Sequence, residues 1–315
     1  MSKGFSTNQK GSALITALFI MTLITIAATA MTMRVQLDIY RTHLTLNTDK
    51  HYYASQLVTF WAMSELSKRK KIYAVTDAQG RIAQFPKKLQ LIYPPFELSG
   101  SLYDLQSRFN INNLTDPNYF LTMLHFLDDF KTKLSKDKKK QLVRAINQWV
   151  SPYNPGHDKD NVLSYYLGQN PSYQPAHQLF YNLSELRLVK GVNSAIYNTL
   201  SPQLTALPEI TPFNINTMPS QLLPILGYGL NKEQVKLILK KRSHHGIKSQ
   251  EKLNQLLNKL NIPTTQITLN SRYFLCIAKV SSNDLSFVYS TILKRTQDKK
   301  GKTSVSVLGE SINTQ

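Results

Sequence analysis

With 315 residues, 42% of them hydrophobic, and aromatic side chains throughout, the chain can fill a real core, which excludes disorder as the default state. Thirty-eight Lys and Arg against 19 Asp and Glu leave a formal charge of +19, which suits nucleic acid, an anionic membrane surface or acidic protein partners and selects none of them. Cys276 is the only cysteine, so an intramolecular disulfide and a cysteine-based zinc site are excluded, and the residue reads as a small buried hydrophobe.

Residues 1–11 are short and polar, with Lys3 and Lys10, and Ser12 to Met33 then run 22 residues without a charge, glycine or proline. That is the length of a membrane span, for which about 20 apolar residues are needed. Three readings compete: a secretory signal peptide cut after Ala28-Thr29-Ala30, an ordinary anchor, and a leader removed ahead of the span. The helical pattern does not stop at Ala30. No Gly or Pro occurs from Ser12 to Gln79, and beyond the span Leu37, Tyr40 and Leu44, then Tyr53, Leu57, Phe60 and Trp61, recur at helical spacing. The spacing predicts one helix of about 60 residues, about 90 Å long, with one half in lipid and the other bound to a globular domain.

After Ser67-Lys68-Arg69-Lys70-Lys71 a loop-like stretch reaches Pro94-Pro95. Phe96 to Leu114 reads as extended, and from Asn118 to about Asn270 the pattern turns helical. Strand signals return at Tyr273–Val280, a candidate buried strand, at Leu285, Phe287 and Tyr289, and at Val305 and Val307. A helical block of about 150 residues thus interrupts strands of one sheet, as an insertion does where its two ends lie close.

Gln9-Lys10-Gly11-Ser12-Ala13-Leu14 resembles a prepilin peptidase site, with Gly11 last in the leader and Ser12 the new N-terminus. Most pilin-like subunits carry Glu at the fifth mature position; here it is Thr16. Absence of that Glu sets minor pseudopilin K apart within its group. Leu102 to Leu114, Ser184 to Val192 and Phe213-Asn214-Ile215-Asn216-Thr217 are similar to segments of the same family, general secretion pathway protein K of the type II secretion system. The resemblance implies an α+β, pilin-like fold in which a long N-terminal transmembrane helix packs on an antiparallel sheet, with a large all-α inserted domain. Its boundaries here are a leader at 1–11, the span at 12–33, helix and first strands at 34–114, the insert at 115–270 and closing strands at 271–315. It also implies a single-pass inner-membrane protein with a periplasmic domain, methylated after cleavage. Placed at the pseudopilus tip, it would work with minor pseudopilins I and J, the major pseudopilin, prepilin peptidase and inner-membrane lipid.

Leu222 to Leu230 followed by Glu233 to Arg242 looks like a helix-hairpin-helix, whose Gly-x-Gly turn offers backbone N–H groups to a phosphate. A membrane-anchored DNA receptor is therefore the alternative function, although a domain outside the cytoplasm meets little nucleic acid. Related proteins carry calcium in a loop of the insert. Near Val150 to Tyr166 only Asp158 and Asp160 remain as carboxylates, with Lys159 between them, a poor start for a cation that takes 6–8 oxygens, so no cofactor or metal is expected. No enzyme constellation stands out: His244-His245 has no carboxylate near in sequence, and neither G-x-S-x-G nor H-E-x-x-H occurs. The lysines from Lys131 to Lys140 read as a solvated helix face.

Overall fold

The structure, a computed structural model, describes residues 10–68, 73, 75–130, 134–153, 160–243, 245–282 and 285–312, of which 10, 11 and 160–162 are described by backbone alone. Helix α1 (Lys10–Ser67) is followed by β1 (Arg81–Gln84) and β2 (Glu97–Asp104). Next come β3 (Phe109–Asn110), α2 (Phe120–Asp129), α3 (Lys136–Val150), α4 (Asp160–Leu167), α5 (Ser194–Leu200), β4 (Leu204–Thr205) and β5 (Phe213–Asn214). Then follow α6 (Lys232–Arg242), α7 (Gln250–Leu260), β6 (Ile267–Thr268), β7 (Tyr273–Ser282), β8 (Leu285–Gln297) and β9 (Thr303–Ile312). Two compact units divide at Ala54 and Ser55. The described part of the first is the N-terminal part of α1; the second holds the last turns of α1 and everything after them.

In the second unit five antiparallel strands form a sheet in the order β1-β2-β7-β8-β9. Residues 105–272 stand in the chain between the neighbouring strands β2 and β7. The sheet face toward α1 is built from Leu98 and Leu102 on β2, Phe274, Cys276, Ala278 and Val280 on β7, and Tyr289, Thr291 and Leu293 on β8, all buried. Against it α1 turns Ser55, Val58, Thr59, Ala62 and Leu66. These are mostly small side chains, and the sheet is cut away to meet them: a Cβ on Gly100 would overlap Val58 Cγ1. The larger stripe points elsewhere, with Leu57 and Phe60 exposed and Trp61 only partly covered. Small residues let the helix axis approach the pleated surface closely, so the bulky positions of the same helix turn outward.

Helix α1 ends at Ser67, before any Gly or Pro. Its last carbonyls are taken by side chains from elsewhere: Tyr73 Oη donates to Glu65 O at 2.9 Å, Arg295 Nε to Leu66 O at 2.9 Å and Arg295 Nη2 to Lys68 O at 3.2 Å. Donors that satisfy the orphaned C-terminal carbonyls end a helix without a glycine.

The inserted block is not wholly helical. Two short parallel ladders, β3 with β4 and β5 with β6, open and close two copies of one unit. Phe109-Asn110-Ile111-Asn112 and Phe213-Asn214-Ile215-Asn216 repeat the same four residues. In each copy the second Asn clamps both backbone groups of a later residue. Asn112 Nδ2 donates to Phe180 O at 3.0 Å and its Oδ1 accepts from Phe180 N at 2.8 Å; Asn216 does the same with Ile247 at 2.9 and 2.8 Å. Two residues past each clamped residue stands a helix N-cap, Asn182 or Ser249, and four further on a fully buried leucine, Leu186 or Leu253. Both copies share one hydrophobic core.

Because the helix and sheet meet at Gly100, Gly100→Ala is expected to overpack that contact at about 1–3 kcal/mol. In thermal unfolding of the detergent-solubilised chain this should lower Tm by roughly 3–10 °C.

Candidate functional site

The junction Gly11–Ser12 lies in the first turn of α1. Ser12 and Thr16 are brought together by the helix, Thr16 Oγ1 donating to Ser12 O at 2.9 Å. The other threonines of the span behave alike: Thr25, Thr29 and Thr32 donate to the carbonyls four residues back at 2.8, 2.8 and 2.9 Å, and Thr22 to the carbonyl of Phe19 at 2.7 Å. Each hydroxyl is therefore satisfied within the helix, where lipid supplies no partner. From Ser12 the helix is long and apolar enough to cross a membrane, and its apolar window is unburied.

A second cluster lies where the inserted block joins the sheet. Asp104, the last residue of β2, is fully buried; its Oδ2 accepts from Asn214 Nδ2 (3.0 Å), Thr217 Oγ1 (2.6 Å) and Ser271 Oγ (2.6 Å), and its Oδ1 from Gln106 N (2.8 Å). Burial without a cation raises its pKa above the usual carboxylate range, against the pull of these four hydrogen bonds. Gln106 continues the seam, donating from Nε2 to Pro212 O at 2.8 Å and accepting from Arg272 N at 2.6 Å. Nearby Glu209, in the segment between the two copies, meets Tyr273 Oη, Lys294 Nζ (3.2 Å) and Arg272 Nη1 (3.4 Å). Its pKa is lowered: desolvation pulls upward, but the Tyr273 and Lys294 hydrogen bonds and the two cations outweigh it. Entry strand, exit strand and both copies are thereby tied at one place.

The hairpin 226–230 is arranged differently from a phosphate cradle. Gly227 and Gly229 both have positive φ, 60° and 93°. Yet Gly227 N donates to Gln266 Oε1 at 3.2 Å, Gly229 N to Leu226 O at 3.1 Å, Leu230 N to Pro224 O at 2.8 Å and Asn231 N to Gln234 Oε1 at 2.9 Å. A Cβ on Gly229 would press on the His125 ring, so the glycine serves close packing onto α2. Arg242 is likewise used inside, donating from Nη1 to Met218 O at 2.6 Å and Ile215 O at 3.3 Å. With those N–H groups committed, the anion-binding chemistry that motivated a DNA receptor is missing from this hairpin.

Comparison with known proteins finds similarity to one family. Residues 107–209 match the family model described as type II secretion system (T2SS), protein K. The chain is similar to type II secretion system protein K. It is 26% identical over 319 residues to that protein of Pseudomonas aeruginosa, covering 96% of this chain and 93% of the relative. With the Aeromonas hydrophila protein K it is 28% identical over 276 residues, 77% of this chain and 78% of the relative. In fold it is similar to a chain of the GspK-GspI-GspJ complex of the type 2 secretion system from enterotoxigenic Escherichia coli, at a TM-score of 0.67 and 19% identity, covering 87% of this chain and all of that one.

Among protein K relatives the resemblance implies calcium in the insert, and the fit can be tested on the described side chains. Asp158 lies outside the described residues, and Asp160 opens α4 with its side chain outside them. Earlier in the chain, Ser151 O is taken by His177 Nδ1 at 3.2 Å and the Tyr153 ring packs edge-on against His177, 5.3 Å between centroids. Among the described residues no group of three or more His, Cys, Asp or Glu is placed to hold a metal ion.

Sequence reading missed Asp104, Asn112 and Asn216. The signal was available in the twice-written Phe-Asn-Ile-Asn, since a repeated buried amide marks a repeated structural task. Asp104→Ala should leave buried donors without an acceptor and cost about 3 kcal/mol or more, read as a Tm loss of roughly 6–12 °C. Millimolar calcium should leave Tm unchanged; a ligand at a hundredfold excess over its Kd would add about 2.7 kcal/mol, and a rise of that size abolished by Asp158→Ala or Asp160→Ala would contradict the fit.

Proposed function

We propose that this chain is a minor pseudopilin of a type II secretion system that caps the tip of the periplasmic pseudopilus and supports its assembly and protein export. The observation that carries the reading is the direction of α1's side chains: small residues face the sheet while Leu57 and Phe60 stand exposed, and the apolar stretch from Ser12 is unburied and long enough to cross a membrane. A helix that turns its bulk away from its own domain is made to pack on other helices. In this reading the chain inserts as a single span in the inner membrane with its large domain in the periplasm. Prepilin peptidase removes residues 1–11, and α1 then packs beside the helices of minor pseudopilins I and J and the major pseudopilin. The similar chain from enterotoxigenic Escherichia coli stands in a GspK-GspI-GspJ complex. Assembly, not catalysis, is the work done.

Thr16 fits a terminal place. A carboxylate within the span costs about 2.5–3.5 kcal/mol unless neutralised, and in the usual arrangement the N-terminal amine of a neighbouring subunit neutralises it. Thr16 spends its hydroxyl on Ser12 O and needs no such neighbour. The same substitution leaves this subunit without a carboxylate to offer a subunit beyond it. A periplasmic domain enlarged by the insert would crowd a repeating shaft, whereas a cap has open space on one side.

N-terminal sequencing of the mature protein from membranes tests the processing on which this depends. Ser12 should be the first residue, and Gly11→Leu should leave the precursor uncut and fail to restore secretion to a strain lacking the gene. A mature chain beginning at Met31 would mean signal-peptidase cleavage after Ala30, loss of the span and the end of this reading.

A further inference from the structure

Between β1 and β2 the chain folds back along the sheet as a flap. Phe85 N donates to Gly100 O at 2.9 Å, the short turn Lys87–Leu89 follows, and Leu98 N donates to Gln90 O at 2.8 Å. Between flap and sheet lies a cavity of about 240 Å³. Strand register sets its sheet side. Leu98 and Leu102 of β2 and Ala278 and Val280 of β7 are buried toward α1, so by alternation Ser99, Ser101 and Lys279 point to the opposite face. There Ser99 pairs across to Lys279, and Ser101 stands between Ile277 and Gln84. Arg81 and Lys87 complete the lining.

The cavity is a collection of donors. Among the described residues that line it there are three cations and two hydroxyls, and neither Asp nor Glu. Arg81 is already engaged, donating from Nε to Asp77 Oδ2 at 2.6 Å and from Nη2 to Gln79 Oε1 at 3.0 Å. The side chains of Lys87, Lys279, Ser99 and Ser101 have no hydrogen-bond or ion-pair partner among the described residues. Glu97, the carboxylate next in register on that face, stands opposite Ser281, one pair beyond Lys279, and does not bond it. Two unpaired ammonium groups with two hydroxyl donors around one concavity suit a phosphate group. The volume is below the roughly 300–1,000 Å³ that encloses a drug-sized molecule, so the cavity takes a head group and leaves the rest of its ligand outside.

What lies outside is indicated by the tip of the flap. Directly after Gln90 come Leu91, Ile92 and Tyr93, exposed at 69%, 57% and 42%, and then the exposed pair Pro94-Pro95. The tip is held in place: Ile92 N donates to Leu89 O at 3.2 Å, and the Tyr93 ring stacks on buried Phe96 at 5.5 Å. Three consecutive apolar side chains beside a cationic cavity are the arrangement by which proteins rest on lipid, apolar groups entering the acyl boundary while cations meet the head groups and Tyr favours the interface. A free anion has no use for such a loop. We infer that the cavity seats the phosphate of an anionic phospholipid, with Leu91, Ile92 and Tyr93 against its acyl chains. This goes beyond the assembly role and needs only a bilayer at hand, which a chain with a membrane-length apolar helix has.

The test uses the full-length chain in nanodiscs of phosphatidylcholine, with or without phosphatidylglycerol, carrying a photo-crosslinking residue in place of Ile92. Mass spectrometry of the peptide around that position should show lipid adducts, about threefold or more abundant when phosphatidylglycerol is present. Lys87→Glu combined with Lys279→Glu should cut the adducts about tenfold, with Tm kept within about 2 °C. Lys232→Glu combined with Lys236→Glu, the same charge change on exposed residues of α6, should leave them unchanged. Equal loss from both pairs would mean attraction by net charge alone and would overturn the site, as would adducts that are absent or indifferent to Lys87 and Lys279. Broadening of the inorganic phosphate signal in phosphorus NMR by the detergent-solubilised chain, lost in the Lys87 and Lys279 variant and unaccompanied by lipid adducts, would mark a small-anion site and overturn the lipid reading. The pseudopilin reading is untouched by any of these results, since it stands or falls on processing at Gly11.

Discussion

The close approach of α1 to the sheet at Val58 and Gly100 is the contact on which the remaining architecture depends. Ser55, Thr59, Ala62 and Leu66 follow it onto the sheet face, Cys276 Sγ lies 4.0 Å from Val58 O, and no larger side chain fits between. The consequence is geometric. With the inward arc of the helix reserved for small residues, Leu57 and Phe60 are directed outward, and the same helix that anchors the domain offers a hydrophobic surface to its surroundings. Arg295 and Tyr73 fix the lower end of the contact by holding the last carbonyls of α1. An element that is structural on one arc and associative on the other suits a protein whose work is to be assembled.

The second constraint is the seam around Asp104. A sheet interrupted between β2 and β7 must keep its entry and exit ends together, and Gln106, Ser271 and Arg272 do so within a few residues of each strand. Reaching Asn214 and Thr217 from the same carboxylate ties the second copy of the inserted unit to the same point. Such polar groups are costly to bury unless fully satisfied, and when satisfied they give one arrangement in place of many. The seam thus sets where a large, basic block is carried relative to the sheet that bears it, through partners that are all named and all short-range.

Much of this was legible in the chain, and the gaps have physical causes. The helix start, its length and the strands at 273–280, 285–289 and 305–307 follow from periodicity, a local property. The end of α1 near Ser67 was legible too, but not what holds it: Leu66 O and Lys68 O are taken by Arg295, more than two hundred residues away. Strand β1 was read as loop, since its four residues are a strand only through pairing with Ser101, Leu102 and Tyr103. Which residues of α1 meet the sheet was not legible, because hydrophobic weight marks Tyr53, Leu57, Phe60 and Trp61, whereas small side chains make the close approach. The hairpin looked like a phosphate loop because its glycines are visible in sequence and the acceptors of its N–H groups, Gln266 above all, are not. Asp104 and the paired Asn112 and Asn216 carry no local signature beyond a repeated tetrapeptide.

The central claim is that this subunit ends a fibre and does not repeat along it. The measurement that bears on it most directly is the number of copies of this chain per fibre, obtained by quantitative mass spectrometry of sheared pseudopili against the major subunit. The account predicts one copy per fibre, whatever the fibre length. Abundance that rises in step with the major subunit would contradict it.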